Sequence, residues 1–171
     1  HCGVSAAQWM HTHTSDMMMY LAGDAEIEFV QGAITANDSD WEGNRLNTDP
    51  GIPMGYVKFK NGVLGYQLAA GGYEFEASGS KGKIRTFDNG SALQCRMPGK
   101  QPYLIEGIQR DHGTVNCIKN LIQAISTGGE TQGNIQLARR SQEMILGFVE
   151  SHRQGGKRVM LPLENRSLYV G

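Results

Sequence analysis

The sequence has few cysteines, almost no net charge and no long apolar run. Its three cysteines, Cys2, Cys95 and Cys117, are widely spaced and form no C-x-x-C pair. This spacing argues against a disulfide framework and favours small buried side chains in a reducing compartment. A formal net charge of -1 gives no basic field that would attract nucleic acid. Because no run of about 18 apolar residues occurs, we expect no membrane partner.

Targeting and nucleotide-binding signals are also missing. No charged segment followed by an apolar core begins the chain, so no signal peptide is visible and we expect a cytoplasmic protein. The first residue is His1, and we interpret the chain as part of a longer protein. The nearest glycine cluster, Gly79-Ser80-Lys81-Gly82, falls between two expected strands. No helix N-terminus is available there to bind a phosphate.

Hydrophobic periodicity predicts a helix, a series of strands, two more helices and a last strand. The helices are expected over 5–22, 115–125 and 137–148, and the strands over 25–36, 54–60, 63–70, 73–78, 83–87, 92–97 and 158–163. Tight turns such as Asn61-Gly62 indicate antiparallel hairpins. Because the helices are segregated from consecutive strands, we expect an α+β fold with one open, mostly antiparallel sheet and helices on one face. All 171 residues fit one domain.

The segment 37–53 is polar and rich in Asn, Asp, Gly and Pro. It is long for a passive connection, so we expect it to be either mobile or functional. It carries Trp41, which is either a packing anchor or a lid that stacks on a sugar, and we favour packing. The tail 164–171 shows no pattern.

The first predicted helix contains the one group of residues with chemical potential. Residues three and four apart share a helix face. One face is polar and aromatic, and its members are Trp9, His13, Asp16 and Tyr20. A neighbouring apolar face is expected to pack on the sheet, and its members are Met10, Met17 and Leu21. A polar face beside a packing face could border a cleft.

Three interpretations of this helix remain open from the residues alone. His13 could be a general acid or base whose tautomer is fixed by Asp16. His11 and His13 could instead bind a metal together with Asp16, as in a hydrolase, although the two imidazoles would point about 200° apart on a helix. In the third interpretation, His13 is a buried, hydrogen-bonded histidine with a structural role.

Four segments in order carry a resemblance to a known family. They are "HTSDMMMYLAG" from His13, "VKFKNGVLGYQLA", "YEFEASGSKGKIRTF" and "ARRSQEMILGFVESHRQGGKRVMLPL". The first resembles the G-x-H-x-x-D-x-x-x-x-L-x-G segment of the glucose–fructose oxidoreductase, inositol dehydrogenase and rhizopine-catabolism (Gfo/Idh/MocA) family. The others resemble its N-G hairpin, its E-x-x-G-x-x-G strand pair and its closing helix and strand. The resemblance covers about residues 9–163.

The resemblance implies a two-domain oxidoreductase of the glyceraldehyde-3-phosphate-dehydrogenase-like type. An upstream Rossmann domain would bind NAD or NADP and supply a lysine, while residues 1–171 would supply the substrate pocket and the oligomer contacts. The substrate would be a sugar, a polyol or a sugar-derived acid. His13 matches the catalytic histidine, and Asp16, Trp9 and His11 would contribute to substrate binding. We expect a homo-oligomer that associates through the sheet.

Two positions depart from the family pattern. Trp9 lies where many polyol-oxidising members carry an aspartate, and an indole can stack on a sugar but cannot accept a hydroxyl proton. His11 replaces a usual glycine. These departures keep a second hypothesis open, in which the domain is a catalytically degenerate scaffold or dimerisation module. A metal-dependent hydrolase that uses His11 and His13 is a third.

Overall fold

The computed structural model describes residues 7–8, 11–69, 74–109 and 112–171. Within them the helices are α1 (His11–Leu21), α2 (Gly113–Thr127) and α3 (Ile135–Arg153). The strands are β1 (Ile27–Ala33), β2 (Trp41–Glu42), β3 (Arg45–Leu46), β4 (Met54–Phe59), β5 (Leu64–Leu68), β6 (Glu76–Gly79), β7 (Gly82–Phe87), β8 (Ala92–Arg96), β9 (Tyr103–Ile105), β10 (Val159–Met160) and β11 (Tyr169–Val170). None of the helices in these ranges is long and apolar enough to cross a membrane.

The chain divides into two compact units, one made of residues 1–69 and 133–171 and the other of residues 70–132. The first unit holds an antiparallel sheet in the order β10-β1-β4-β5 and a small sheet in the order β11-β3-β2. The second unit holds the antiparallel meander β6-β7-β8-β9 and helix α2. The predicted α+β class with mostly antiparallel strands is confirmed.

The expectation of one continuous sheet is wrong for the described residues, because their strands form three sheets. The hairpin β4-β5 pairs with β1, whereas β6 pairs with β7 in the other unit. Turn signals fix which strands form a hairpin but do not fix which hairpins share a sheet, and that is why the sequence did not separate them. The turn expected at Gly71-Gly72 lies outside the described residues.

Helix α3 packs on the first sheet through an aromatic ring that lies over glycines. Gly32 of β1 and Gly55 of β4 are direct partners across the sheet. A Cβ added at Gly55 would lie 2.6 Å from Phe148 Cζ, and one added at Gly32 would lie 2.7 Å from Phe148 Cδ1. The ring therefore fills space that any larger residue at these two positions would occupy. The prediction that helices cover one face of the sheet is confirmed here.

Helix α1 lies beside α3 and uses a different packing face from the one expected. Ser15 and Met19 are completely buried, and Met18 fills the space above Gly65 of β5. Leu21 is 47% exposed, so its expected place in the packing face is wrong, whereas Met17 is half-buried and Met10 lies outside the described residues. Because residues 17–19 are all methionine, residue type alone does not select the buried side.

The helix boundaries follow their end signals. Helix α1 begins at His11 rather than at Ser5, since residues 7–8 form a turn, and Gly23 follows it with a left-handed φ of 72°. Helices α2 and α3 confirm the spacing predictions, and the left-handed Gly128 ends α2. Among the described cysteines, Cys95 is buried as expected, but Cys117 on α2 is exposed.

The segment 37–53 and the C-terminal tail are joined by strand pairing. Strand β11 of the tail pairs in parallel with β3, and β3 pairs with β2. Leu46 and Val170 are buried, and the half-buried Trp41 packs against the same core. The packing interpretation of Trp41 is therefore confirmed. The tail, which shows no sequence pattern, contains the two-residue strand β11.

A buried carboxylate at the end of α3 joins the helix to the tail. Glu150 accepts hydrogen bonds from Arg153 Nη2 at 2.8 Å, Gln154 Nε2 at 2.7 Å and Asn165 Nδ2 at 3.4 Å. Burial acts to raise the pKa of Glu150, but the hydrogen bonds from Arg153 and Gln154 outweigh it, so this pKa lies below its usual value. The ionised form therefore stabilises the junction.

We predict that Gly55→Ala destabilises the protein by about 1–3 kcal/mol, because the new methyl group overlaps the Phe148 ring. Gly79→Ala is the matched control, since a Cβ there meets no atom within 4 Å. Denaturant unfolding monitored by circular dichroism measures both changes. Equal stability of the two variants would contradict the packing argument.

We predict that Glu150→Gln costs about 2 kcal/mol near neutral pH, because hydrogen bonds to a charged group are lost. The folded-state pKa is lowered, so the stabilisation is complete above the unfolded value of about 4.3 and is lost as the pH falls through the folded value. The difference from wild type should therefore shrink in acid. Exposed Glu164, substituted in the same way, is the control. A difference that did not depend on pH would exclude ionisation as its cause.

Candidate active site

The polar stripe expected on the first helix lies on the exposed side of α1. His13 and Asp16 are exposed, and Tyr20 is 69% exposed. These three side chains occur at helical spacing and share a face, while the opposite side of α1 packs on the sheet and on α3. The interpretation of His13 as a buried structural histidine is therefore wrong. Trp9 lies outside the described residues.

His11 takes a different direction from His13 and contacts two other parts of the first unit. The backbone N–H of Ile52 donates to His11 Nε2 at 3.3 Å. The side-chain amide of Gln67 on β5 reaches His11 Nδ1 at 2.6 Å. His11 is half-buried, and Gln67 is only 6% exposed. The H-x-H pair thus provides one outward imidazole and one inward imidazole.

The different directions of His11 and His13 argue against a metal site that uses both. A metal site needs three or four ligands that converge on one point, whereas His11 and His13 lie on different sides of α1. Within residues 11–69, 74–109 and 112–171 there is no group of three or more His, Cys, Asp and Glu side chains that could hold a metal ion. The geometry of the described residues therefore does not favour a hydrolase that uses these histidines.

A loop from the segment 37–53 holds the start of α1. Pro50 accepts a hydrogen bond from the backbone of Ala7 at 2.7 Å, and Asp49 accepts one from the backbone of Gln8 at 2.9 Å. On the other side, Gln142 of α3 donates to the side chain of Gln8 at 2.6 Å. The chain that enters α1 is thus fixed from two directions.

Sequence reasoning missed Gln67 as a residue that supports the site. A signal for it was available in the alternation of β5, where Leu64, Tyr66 and Leu68 share one face. The opposite face carries Gly65 and Gln67, which are both buried. A lone amide on the side of a strand that faces helices needs a polar partner, and His11 is that partner.

The described part of α1 offers the groups that proton transfer requires. An exposed imidazole on a helix packed on two sides can accept or donate a proton, and a carboxylate lies one turn further along. A cradle for a dinucleotide phosphate needs a glycine-rich turn between a strand and a helix. Gly79 and Gly82 instead close the β6-β7 hairpin. The described glycine cluster therefore does not form such a cradle.

Comparison with known proteins gives a consistent match. Residues 7–161 match a family model described as the C-terminal α/β domain of an oxidoreductase family. That range includes α1, both histidines of the H-x-H pair and all three helices. No curated protein matches the chain in sequence.

Solved structures with the same fold include three oxidoreductases. Levoglucosan dehydrogenase in complex with NADH and L-sorbose has 20% identity and a TM-score of 0.68, over 94% of this chain and 51% of its own. Aldose-aldose oxidoreductase from Caulobacter crescentus, complexed with glycerol, has 17% identity and a TM-score of 0.67, over 88% and 46%. An NAD binding oxidoreductase from Klebsiella pneumoniae has 16% identity and a TM-score of 0.71, over 93% and 51%. The chain spans about half the length of the structures it matches.

Proposed function

Because the chain belongs to the Gfo/Idh/MocA oxidoreductase family as its C-terminal α/β domain, we propose that it forms the substrate side of a nicotinamide-dependent oxidoreductase. The observation that carries the proposal is the exposed His13 on α1, a helix that packs against α3 and contacts β5 of the sheet. The substrate is a sugar, a polyol or a sugar-derived acid. Two matched structures carry sugar oxidoreductase names, levoglucosan dehydrogenase and aldose-aldose oxidoreductase, and this supports a carbohydrate.

The cofactor, NAD or NADP, is held by a domain upstream of this chain. When bound, its nicotinamide supplies the hydride acceptor or donor. The described residues support this division, because their glycine cluster lies in a hairpin and not at the start of a helix. Two of the matched structures name a nicotinamide cofactor, one as a complex with NADH and one as an NAD binding oxidoreductase, and this chain covers 51% of each.

His13 handles the proton in this proposal. When a carbinol is oxidised, the hydride leaves its carbon and the hydroxyl proton must pass to a base; in reduction the proton returns to the oxygen. His13 accepts or donates that proton, or orients the hydroxyl for the upstream lysine. Asp16, one helical turn later and exposed, accepts a hydrogen bond from a second hydroxyl group. For Trp9, whose indole cannot accept a proton, the family resemblance leaves stacking on a sugar face as the proposed role.

The partner of the first sheet is a second copy of this chain. The face turned away from α1 and α3 exposes large apolar side chains, which are Met54, Leu64, Tyr66, Leu68 and Met160. They come from three strands paired in one sheet. Large apolar side chains exposed together on one sheet face mark interaction surfaces, and a two-fold dimer covers such a face with its own copy.

We predict that His13→Asn in the full-length protein lowers kcat/KM by about 10²-fold or more, because an amide can hydrogen-bond to a hydroxyl but cannot take its proton. Steady-state kinetics with a panel of sugars and polyols and either NAD or NADP measures the loss. His112→Asn is the matched control, since asparagine preserves the cap of α2. Wild-type rates in His13→Asn would contradict the proton-handling role of His13, whereas a wild-type protein with no turnover with either cofactor would favour the scaffold hypothesis.

We predict that Leu68→Lys reduces the assembly to smaller species, because a charge is placed in the apolar face at a residue that is 71% exposed. Size-exclusion chromatography with light scattering measures the mass. Ile135→Lys, at a residue of α3 that is 76% exposed, is the control and should leave the assembly unchanged. A wild-type protein that is monomeric would disprove this interface.

A further inference from the structure

His11 connects the first turn of α1 to two other elements of the same unit. Its Nε2 faces the backbone N–H of Ile52, which ends the loop that holds the start of α1. Its Nδ1 faces the side chain of Gln67, which projects from β5 towards the helices. A half-buried ring that bridges a loop and a strand at a helix N-terminus restrains the position of that turn.

The hydrogen-bond partners assign the proton on this ring. A backbone N–H can only donate, so His11 Nε2 must be the unprotonated acceptor of the Ile52 bond. The neutral ring then carries its proton on Nδ1, which needs an acceptor. A doubly protonated ring would set Nε2–H against the Ile52 N–H. The geometry is therefore compatible only with a neutral imidazole protonated on Nδ1.

Gln67 can supply the acceptor. The oxygen and nitrogen of a glutamine amide exchange places on a half-turn of the group, and their assignment follows from the hydrogen bonds. With the oxygen towards His11, the nitrogen donates to Thr14 Oγ1, which lies 3.2 Å from the other end of the amide. The Thr14 hydroxyl then donates to the carbonyl of His11 at 2.9 Å. The ring N–H of His11, the amide N–H of Gln67 that faces Thr14 and the hydroxyl of Thr14 therefore each have an acceptor.

We propose that His11, held neutral between Ile52 and Gln67, is a positioning residue that sets where His13 stands in the active site. The proposal rests on the proton-handling role of His13 under the proposed function. It replaces the direct substrate-binding role expected for His11, because both ring nitrogens contact protein groups. His11 occupies the family's glycine position, so this restraint is a property of this chain.

The effect on catalysis follows from proximity. His13 lies two residues after His11 in the same helical turn, so a shift of that turn displaces its imidazole. A displacement of about 1 Å from a reactive geometry can cost about 10²-fold in rate. Loss of the Gln67 link should therefore lower kcat while leaving the affinity for the nicotinamide cofactor unchanged, because the cofactor is held upstream.

Two substitutions of Gln67 in the full-length enzyme test the link. Gln67→Met removes the acceptor at similar volume, whereas Gln67→Glu keeps an oxygen for Nδ1–H. At about pH 8, where an ordinary histidine is neutral, we expect Gln67→Met to lose about 10-fold or more in kcat and Gln67→Glu to lose clearly less. Exposed Gln136→Met is the control. Equal losses in the two Gln67 variants would overturn the proposal.

A double-mutant cycle separates positioning from a general loss of structure. If Gln67 acts through His13, then adding Gln67→Met to His13→Asn causes little further loss of kcat, because the two residues act as a unit. If the kcat losses of the two single variants multiply in the double variant, Gln67 acts independently of His13 and the proposal is overturned. If His13→Asn alone keeps wild-type rates, the proposed function fails and the positioning role fails with it. A loss in His13→Asn without one in Gln67→Met overturns the positioning role alone.

The tautomer has its own spectroscopic test. In protein labelled with ¹⁵N-histidine, the His11 signals are identified by their loss in His11→Asn. We expect Nδ1 in the protonated range and Nε2 in the unprotonated range of nitrogen shifts. A ring protonated on Nε2 would contradict the Ile52 hydrogen bond and overturn the proposal whatever the kinetics show.

Discussion

The Phe148 ring occupies the space that side chains at Gly32 and Gly55 would otherwise fill. This close approach fixes α3 on the first sheet, and α1 lies beside α3 on the same face. Helix α1 makes a similar contact, since Met18 fills the space above Gly65. Interiors are packed at near-crystalline density, so a helix seated this way cannot slide without opening a cavity. The exposed stripe of α1 is therefore held by packing on the side that faces away from it.

The long polar segment before β4 depends on a contact far along the chain. Strand β3 within it pairs with β11 in the tail, and buried Leu46 and Val170 join both to the core. Neither segment has a periodicity that would reveal its strands, because each of these strands has only two residues. Together they support the loop that ends at Ile52 and holds the start of α1. A tail without sequence signals thus contributes to the position of the candidate site.

Local features of the fold could be predicted from the sequence, and long-range choices could not. The Asn61-Gly62 hairpin and the end of α2 at Gly128 follow from backbone preferences that act within a few residues. The buried side of α1 did not follow, because Met17 to Met19 are equally apolar and only the space above Gly65 selects among them. The separation into three sheets also depends on partners distant in sequence. The shared face of His13 and Asp16 could be predicted, because helical spacing alone defines it, whereas its exposure could not.

The helix on which the H-x-H pair lies determines where its two imidazoles point. Two residues apart on an α-helix, the side chains diverge by about 200°, so a buried side and an exposed side each receive one imidazole. An imidazole turned inward is costly unless its polar atoms are paired, and Ile52 and Gln67 supply those partners. The family's glycine leaves this inward position without a side chain. In this chain a histidine fills it and connects the turn to the loop and to β5, while His13 faces outward.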